Sequence, residues 1–169
     1  MGAYVRLSTT TLTSATANFT LSSIPSGYTD LRVVFGNLKT TPGAGTIVLR
    51  FNGDSGSNYS RTNINGDGAG TTASSAQFTS VTWIHLNGGN TSTTIPGMVT
   101  LDIPSYSSTS INKTVLAAST FDFNGSGNMT YAVGLWRSTA AISSISILMN
   151  TGDNFAIGTT ATVYGIKES

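Results

Sequence analysis

The chain alternates apolar and polar residues over short runs, which are separated by Gly, Asn, Ser and Pro. Such runs recur along the whole sequence, and a period of two places alternate side chains on opposite faces of a β-strand. No long window shows the three-and-four spacing of an amphipathic helix without an interruption. We therefore predict an all-β chain with almost no helix.

Two segments show the pattern most clearly. In residues 97–103, Val99, Leu101 and Ile103 share one face. Residues 113–123 and 129–137 flank an Asn-Gly-Ser-Gly turn, which predicts a β-hairpin. Strands are predicted at residues 17–21, 30–39, 46–52, 77–86, 97–103, 113–123, 129–137, 142–149 and from 155 onward, with weaker ones at 4–7 and 59–64.

The spacing of these strands favours an antiparallel two-sheet sandwich, jelly-roll-like, with about eight to ten strands. Strands 30–39 and 46–52 are close enough in sequence to form a hairpin. A parallel fold would need crossover helices, which the pattern does not predict. We expect one sandwich domain over residues 17–169, preceded by an N-terminal arm or edge segment over residues 1–16.

The last strand has two candidate faces. Thr160, Thr162, Tyr164 and Ile166 alternate with Ala161, Val163, Gly165 and Lys167. We expect Tyr164 and Ile166 to be buried. Lys167 should then mark the point where the chain returns to solvent.

Composition narrows the range of partners. Charged residues are 9% of the chain and the net charge is +1, whereas Thr and Ser together number 51 of 169 residues (28 Thr and 23 Ser). With three Lys and no basic patch, we expect no nucleic-acid binding and no binding to anionic membranes.

The absence of cysteine excludes disulfides and thiolate metal sites. Residues 1–20 contain no apolar run long enough for a leader, so we expect none.

Two polar tracts are the candidate contact loops. Residues 53–70 and 87–94 are rich in Gly, Asn, Ser and Asp, and long loops in compact domains are often functional. Tyr59 is the aromatic residue best placed there for exposure and sugar stacking. The candidate partner or glycan contacts are Asp54, Asn58, Tyr59, Arg61, Asn65, Asp67 and Asn90.

Catalytic, cofactor and metal sites are not predicted. His85 is the single histidine and is interpreted as a sheet-face residue. Asp102 and Asp122 lie on predicted strands, and a glycosidase would need two such carboxylates to face each other across the sugar. The spacing Asn52-x-Asp54-x-Gly56 partly matches the start of a calcium loop, but no Glu occupies its twelfth position.

Four blocks of sequence resemble a family of tailed-bacteriophage virion proteins. They are S-S-I-P-S-G-Y-T-D-L-R-V-V at residues 22–34, L-R-F-N-G-D-S-G-S-N-Y-S at 49–60, V-G-L-W-R-S-T-A-A-I at 133–142 and F-A-I-G-T-T-A-T-V-Y-G-I at 155–166. The resemblance implies a virion component that is assembled in the bacterial cytoplasm, commonly as a trimer, on capsid surfaces or in tail appendages. The family brings no catalytic motif.

Three functions from different classes follow. The leading expectation is a non-enzymatic capsid decoration (cement) protein, bound as a homotrimer to the major capsid protein or other virion proteins. The alternative is a tail-fibre or baseplate module that binds host-surface carbohydrate through the two polar tracts. An enzyme that degrades surface polysaccharide is the third hypothesis, and it depends on the Asp102 and Asp122 pair.

Overall fold

A computed structural model describes residues 4–41, 45–70, 73–87, 89 and 91–167. These residues form β-strands joined by turns, and none of them is helical. Among them, no helix is long and apolar enough to cross a membrane. The strands are β1 (Tyr4–Thr11), β2 (Asn18–Leu21), β3 (Asp30–Leu38), β4 (Thr40–Thr41), β5 (Ile47–Phe51), β6 (Tyr59–Gly66), β7 (Ser74–Val81), β8 (Ile84–His85), β9 (Gly97–Ile103), β10 (Lys113–Asp122), β11 (Gly127–Trp136), β12 (Ile145–Met149), β13 (Asn154–Phe155) and β14 (Thr160–Ile166).

The strands form two main antiparallel sheets. The larger sheet has eight strands in the order β1-β14-β3-β9-β10-β11-β6-β7, and the smaller has four in the order β2-β12-β5-β8. Strands β13 and β4 form a separate two-stranded pair. The predicted all-β antiparallel sandwich is confirmed. The described residues form fourteen strands in all, more than the expected eight to ten, partly because β4, β8 and β13 have two residues each.

The core lies between the inner faces of the two sheets. On β9 the residues Val99, Leu101 and Ile103 are buried, as the alternation predicted. The hairpin of β10 and β11 is also confirmed, with Lys113 opposite Trp136 and Asp122 opposite Gly127. The smaller sheet contributes a matching apolar face: Phe19, Leu21, Ile47, Leu49, Phe51, Ile84, Ile145 and Ile147 are all buried.

The predicted hairpin of strands 30–39 and 46–52 was wrong. Strand β3 lies in the larger sheet between β14 and β9, whereas β5 lies in the smaller sheet between β12 and β8. The connection between them therefore crosses from one sheet to the other. The predicted strand 77–86 is divided in the same way, because β7 belongs to the larger sheet and β8 to the smaller.

The terminal strand has the opposite face inward from the one expected. In β14 the buried residues are Ala161, Val163 and Gly165, while Tyr164 and Ile166 are only half-buried. The cause is Tyr28, whose ring lies so close to Gly165 that a Cβ there would be 2.4 Å from the ring. The aromatic ring thus fills the core beside a glycine. Lys167 is exposed, as predicted, and its ammonium lies 5.4 Å from the Tyr28 ring centroid.

Substituting Gly165 tests this close approach. We expect Gly165→Ala to lower the free energy of unfolding by about 1–3 kcal/mol, because the added methyl displaces the Tyr28 ring. Gly27→Ala is the matched control, since a Cβ at Gly27 would meet no atom within 4 Å. Urea denaturation of both variants measures the difference. Equal stability of the two variants would contradict the packing of Tyr28 over Gly165.

Candidate functional site

The weak strand predicted at residues 59–64 is present as β6 (Tyr59–Gly66), so the polar tract 53–70 is not one long loop. It was expected as a short edge strand, which is wrong, because β6 lies between β11 and β7 inside the larger sheet. Its polar residues made the strand pattern weak in the sequence. In the structure several of them find hydrogen-bond partners on neighbouring strands, which allows a polar strand to be part of the sheet.

Asp54 is the centre of a hydrogen-bond network that fixes the turn before β6. Its carboxylate accepts bonds from the Trp136 indole Nε1 (2.7 Å), the Asn58 side-chain amide (2.9 Å) and the Gly56 backbone N–H (2.8 Å). Burial alone would raise the pKa of Asp54, but these hydrogen bonds outweigh it and lower the pKa. The carboxylate that the calcium-like spacing singled out is thus already occupied by protein donors. Among the described residues, no three His, Cys, Asp or Glu lie together as a metal site would need.

Tyr59 was expected to be exposed, and the structure shows it fully buried. Its ring stacks on Trp136 with 6.4 Å between centroids and 17° between planes. Its hydroxyl donates to the Asp54 carbonyl (3.1 Å) and accepts from the Phe51 N–H (3.1 Å). Burial raises the pKa of Tyr59 to about 12. The ring belongs to the core and offers no face for sugar stacking.

Arg61 and Asn65 point toward the inner side of the larger sheet. The Arg61 guanidinium donates to the Asn63 side chain at 3.1 Å and lies 4.1 Å from the Phe78 ring centroid. The Asn65 carbonyl oxygen accepts a bond from the Thr130 hydroxyl at 2.8 Å. These side chains stabilise the strand itself.

The remaining predicted contact residues lie elsewhere. Asp67 is exposed in the turn between β6 and β7, where it accepts a bond from the Ala69 N–H (3.0 Å). Asn90 lies outside the described residues. The structure therefore brings Asp54, Asn58 and Tyr59 together as a structural network and does not assemble the predicted set into one contact surface.

Asp102 and Asp122 are too far apart to act on one glycosidic bond. Asp102 lies opposite Leu116, and Asp122 is six residues further along β10, which corresponds to roughly 20 Å at 3.3 Å per residue. Glycosidase carboxylates are separated by about 5–9.5 Å. Asp102 is instead paired with Arg32 at 3.1 Å.

The candidate functional site is a surface that the sequence analysis missed. Exposed apolar side chains cluster on the outer side of the larger sheet, on strands β9, β10, β11 and β6. Leu116 lies opposite Val133, and Tyr131 lies opposite Ile64. We call this patch the outer apolar face. Its members are exposed by 43–56%, namely Ile64, Met98, Leu116, Met129, Tyr131 and Val133.

The pattern did contain a signal for this face. On β10 and β11 the inward positions include the small residues Ala117 and Ala132, while the outward positions include Leu116 and Val133. A half-buried sheet normally has polar residues outside. Apolar residues on both faces of the same strands therefore distinguish this sheet from one whose outer face is polar.

A depression lies at one side of the outer apolar face. It has a volume of about 380 Å³ and is lined mainly by apolar atoms, with Leu116, Val133 and Ile166 among its walls. The carboxyl-bearing residues Asp30 and Asp102 also line it. The site can therefore accept an apolar or aromatic side chain that carries a hydrogen-bond donor at its tip.

Comparison with known protein families, curated proteins and solved structures finds no match to this chain.

Removing the Asp54 carboxylate tests the network. We expect Asp54→Ala to lower the free energy of unfolding by about 1–3 kcal/mol, because the indole N–H of the buried Trp136 loses its acceptor. Asp67→Ala is the control, since Asp67 supports only its own turn, and should change stability by less than about 0.5 kcal/mol. Thermal denaturation followed by tryptophan fluorescence measures both. A neutral Asp54→Ala would show that the turn is held by other contacts.

His85 makes the stability dependent on pH. Its Nε2 atom is buried and has no hydrogen-bond partner among the described residues. Burial, together with the nearby charge of Arg61, lowers the pKa of His85 to about 4, compared with about 6.5 in an unfolded chain. The fold thus favours neutral His85.

Above about pH 6.5 His85 is neutral in both states and should not reduce the free energy of unfolding. Below that pH the free energy of unfolding should fall by up to about 1.4 kcal/mol per pH unit. Urea denaturation at pH 7, 6 and 5 measures the slope. His85→Gln is the control, because a chain with no other histidine should then lose most of the slope above pH 5. The same slope in both proteins would place the proton uptake elsewhere.

Proposed function

We propose that this protein is a non-enzymatic structural component of a bacteriophage virion, a decoration (cement) protein that binds the outer capsid surface as a trimer. The observation that carries the proposal is the outer apolar face. Large exposed apolar patches mark surfaces that contact other proteins. Elsewhere the polar groups are mostly hydroxyls and amides, because charged residues are only 9% of the chain. The outer apolar face differs from that polar surface, and we assign it to assembly.

The resemblance of four sequence blocks supports the location on a virion. Two of the blocks meet where β3 pairs with β14 and Tyr28 packs on Gly165. The other two meet where Asp54 accepts the Trp136 indole N–H. The four blocks thus contain contacts that hold the sandwich together. Proteins that have the same fold but bind different partners would share such contacts.

The mechanism of cementing would be additional buried surface between capsid subunits. A trimer that spans neighbouring subunits binds the assembled shell and not its separated parts. Any ligand that binds only the assembled state shifts the equilibrium toward it by mass action. A low surface charge suits this role, because such binding would depend little on ionic strength.

Capsid binding tests the proposal. We expect purified protein to bind capsids that lack it, to label the head in electron micrographs of gold-tagged virions, and to restore resistance to heat and osmotic shock. Capsids that carry the protein should release DNA at a higher temperature than bare capsids. Label on the tail, or equal release temperatures for the two kinds of capsid, would contradict a cement protein.

A second candidate, a tail module that binds host-surface carbohydrate, is favoured by one observation. An open groove of about 1030 Å³ lies at one end of the larger sheet. Asp67, Asp122 and Asn128 line it together with Met98 and Met129, so it offers both polar and apolar contacts. Label on the tail, with glycan-array binding that is lost in Asp67→Ala and Asp122→Ala, would favour this candidate over the capsid.

A further inference from the structure

We infer that the outer apolar face is covered by a second copy of this chain, with Tyr131 of one copy seated in the depression beside Leu116 of the next. The inference deepens the proposed function, because it names the surface through which copies join. It does not require a capsid, so it can be tested on the isolated protein. Size, charge and shape support it separately.

The size of the face fits a subunit contact. Four neighbouring strands at about 4.8 Å spacing are about 19 Å wide, and seven to ten residues at about 3.3 Å extend about 25–33 Å. The face therefore covers roughly 500–600 Å² before side-chain relief is added. A stable interface buries about 800 Å² on each partner. The face and its rim approach that area, and they reach the upper end of what a monomer leaves exposed.

The charges of the face fit a copy of the same chain. On the four strands of the face the outward charged residues are Asp102, which pairs with Arg32 at 3.1 Å, and Asp122 at the end of β10. The other outward positions include Thr62, Thr114 and Ala118. The centre of the face thus carries no charge, so a partner needs none there and two such faces repel each other little. A core with Met and Tyr and a polar margin is typical of protein interfaces.

The shape of the face provides a knob and a hole. Tyr131 lies on β11 with 52% of its surface exposed. The depression lies toward β3, β9 and β14, and Leu116, Ile166, Asp30 and Asp102 are among the residues that line it. A phenol ring from another copy would contact the apolar side chains, and its hydroxyl would donate to one of the two carboxylates. Tyr131 lies beside the depression of its own chain, two residues from Val133 in the lining, and a knob that enters the hole of the next copy closes into a ring when the rotation allows it.

The mass of the particle in solution tests the inference. We expect the wild-type protein to have the mass of more than one chain in light scattering coupled to size exclusion, at about 10–100 µM. Val133→Asp should reduce it to one chain, because a carboxylate in the centre of the face would be buried without a partner. Ile157→Asp is the matched control: Ile157 is 62% exposed and lies outside the face, so the mass should not change.

A second set of variants tests the seat of Tyr131. Tyr131→Ser should weaken association by about 30-fold or more, as loss of a central aromatic anchor does. Tyr131→Phe keeps the ring and should weaken it far less. Far-UV circular dichroism of every variant should match the wild type, since the side chains concerned are exposed. A folded Tyr131→Ser that associates as tightly as the wild type would overturn the knob-and-hole contact.

The outcomes separate this inference from the proposed function. A wild-type protein with the mass of one chain at about 100 µM, or an oligomer that Val133→Asp leaves intact, would overturn the inference. If that single-chain protein also lost capsid binding through Val133→Asp, the face would belong to the capsid contact. An oligomer that Val133→Asp dissociates would support the inference, even if the protein bound no capsid and the proposed function failed.

Discussion

The fold depends on the mutual burial of two apolar sheet faces that differ in width. Eight strands at about 4.8 Å span about 38 Å, whereas four span about 19 Å, so the smaller sheet cannot cover the larger. Where cover is lacking, the inner side of the larger sheet becomes polar, and Asn63, Thr130 and Asn128 are buried there. The Thr130 hydroxyl donates to the Asn65 side-chain oxygen at 2.8 Å, and the Asn128 side-chain oxygen lies 3.2 Å from the same hydroxyl. Hydrogen bonds thus take over from apolar packing where the second sheet ends, which is how buried amides are stabilised.

The small width of the second sheet also explains where the large aromatic side chains lie. Trp136 contacts Phe51 across the sandwich, and the Tyr59 ring stacks on Trp136. Tyr28 fills the space beside Gly165 at the other end of the sheet. Large rings at both ends close the gaps that a narrow second sheet leaves. Asp54 then fixes the rotamer of Trp136 through the indole N–H, so one carboxylate connects a surface turn to the core.

Features that depend on residues close together in the sequence could be predicted, and features that depend on distant residues could not. Strand positions and the β10–β11 hairpin follow from a period of two and an Asn-Gly turn, which are local. The predicted partner of β3 was wrong because the pattern identifies a strand but not the sheet to which it belongs. The prediction of the buried face of β14 was wrong because both faces are partly apolar. Tyr28, which decides between the two faces, is distant from β14 in the sequence. The contact of Asp54 with Trp136 joins residues 82 positions apart, and no spacing rule relates them.

The apolar outer face and the scarcity of charge have a common consequence. In most soluble proteins the net charge keeps copies apart. Here the net charge is +1 and the one ion pair among the described residues joins Arg32 to Asp102 at the margin of the face. Repulsion between copies is therefore weak, and the exposed Leu116, Tyr131 and Val133 determine what the surface contacts. Association through such a face would be driven by the removal of apolar area from water, which salt screens little and which weakens on cooling.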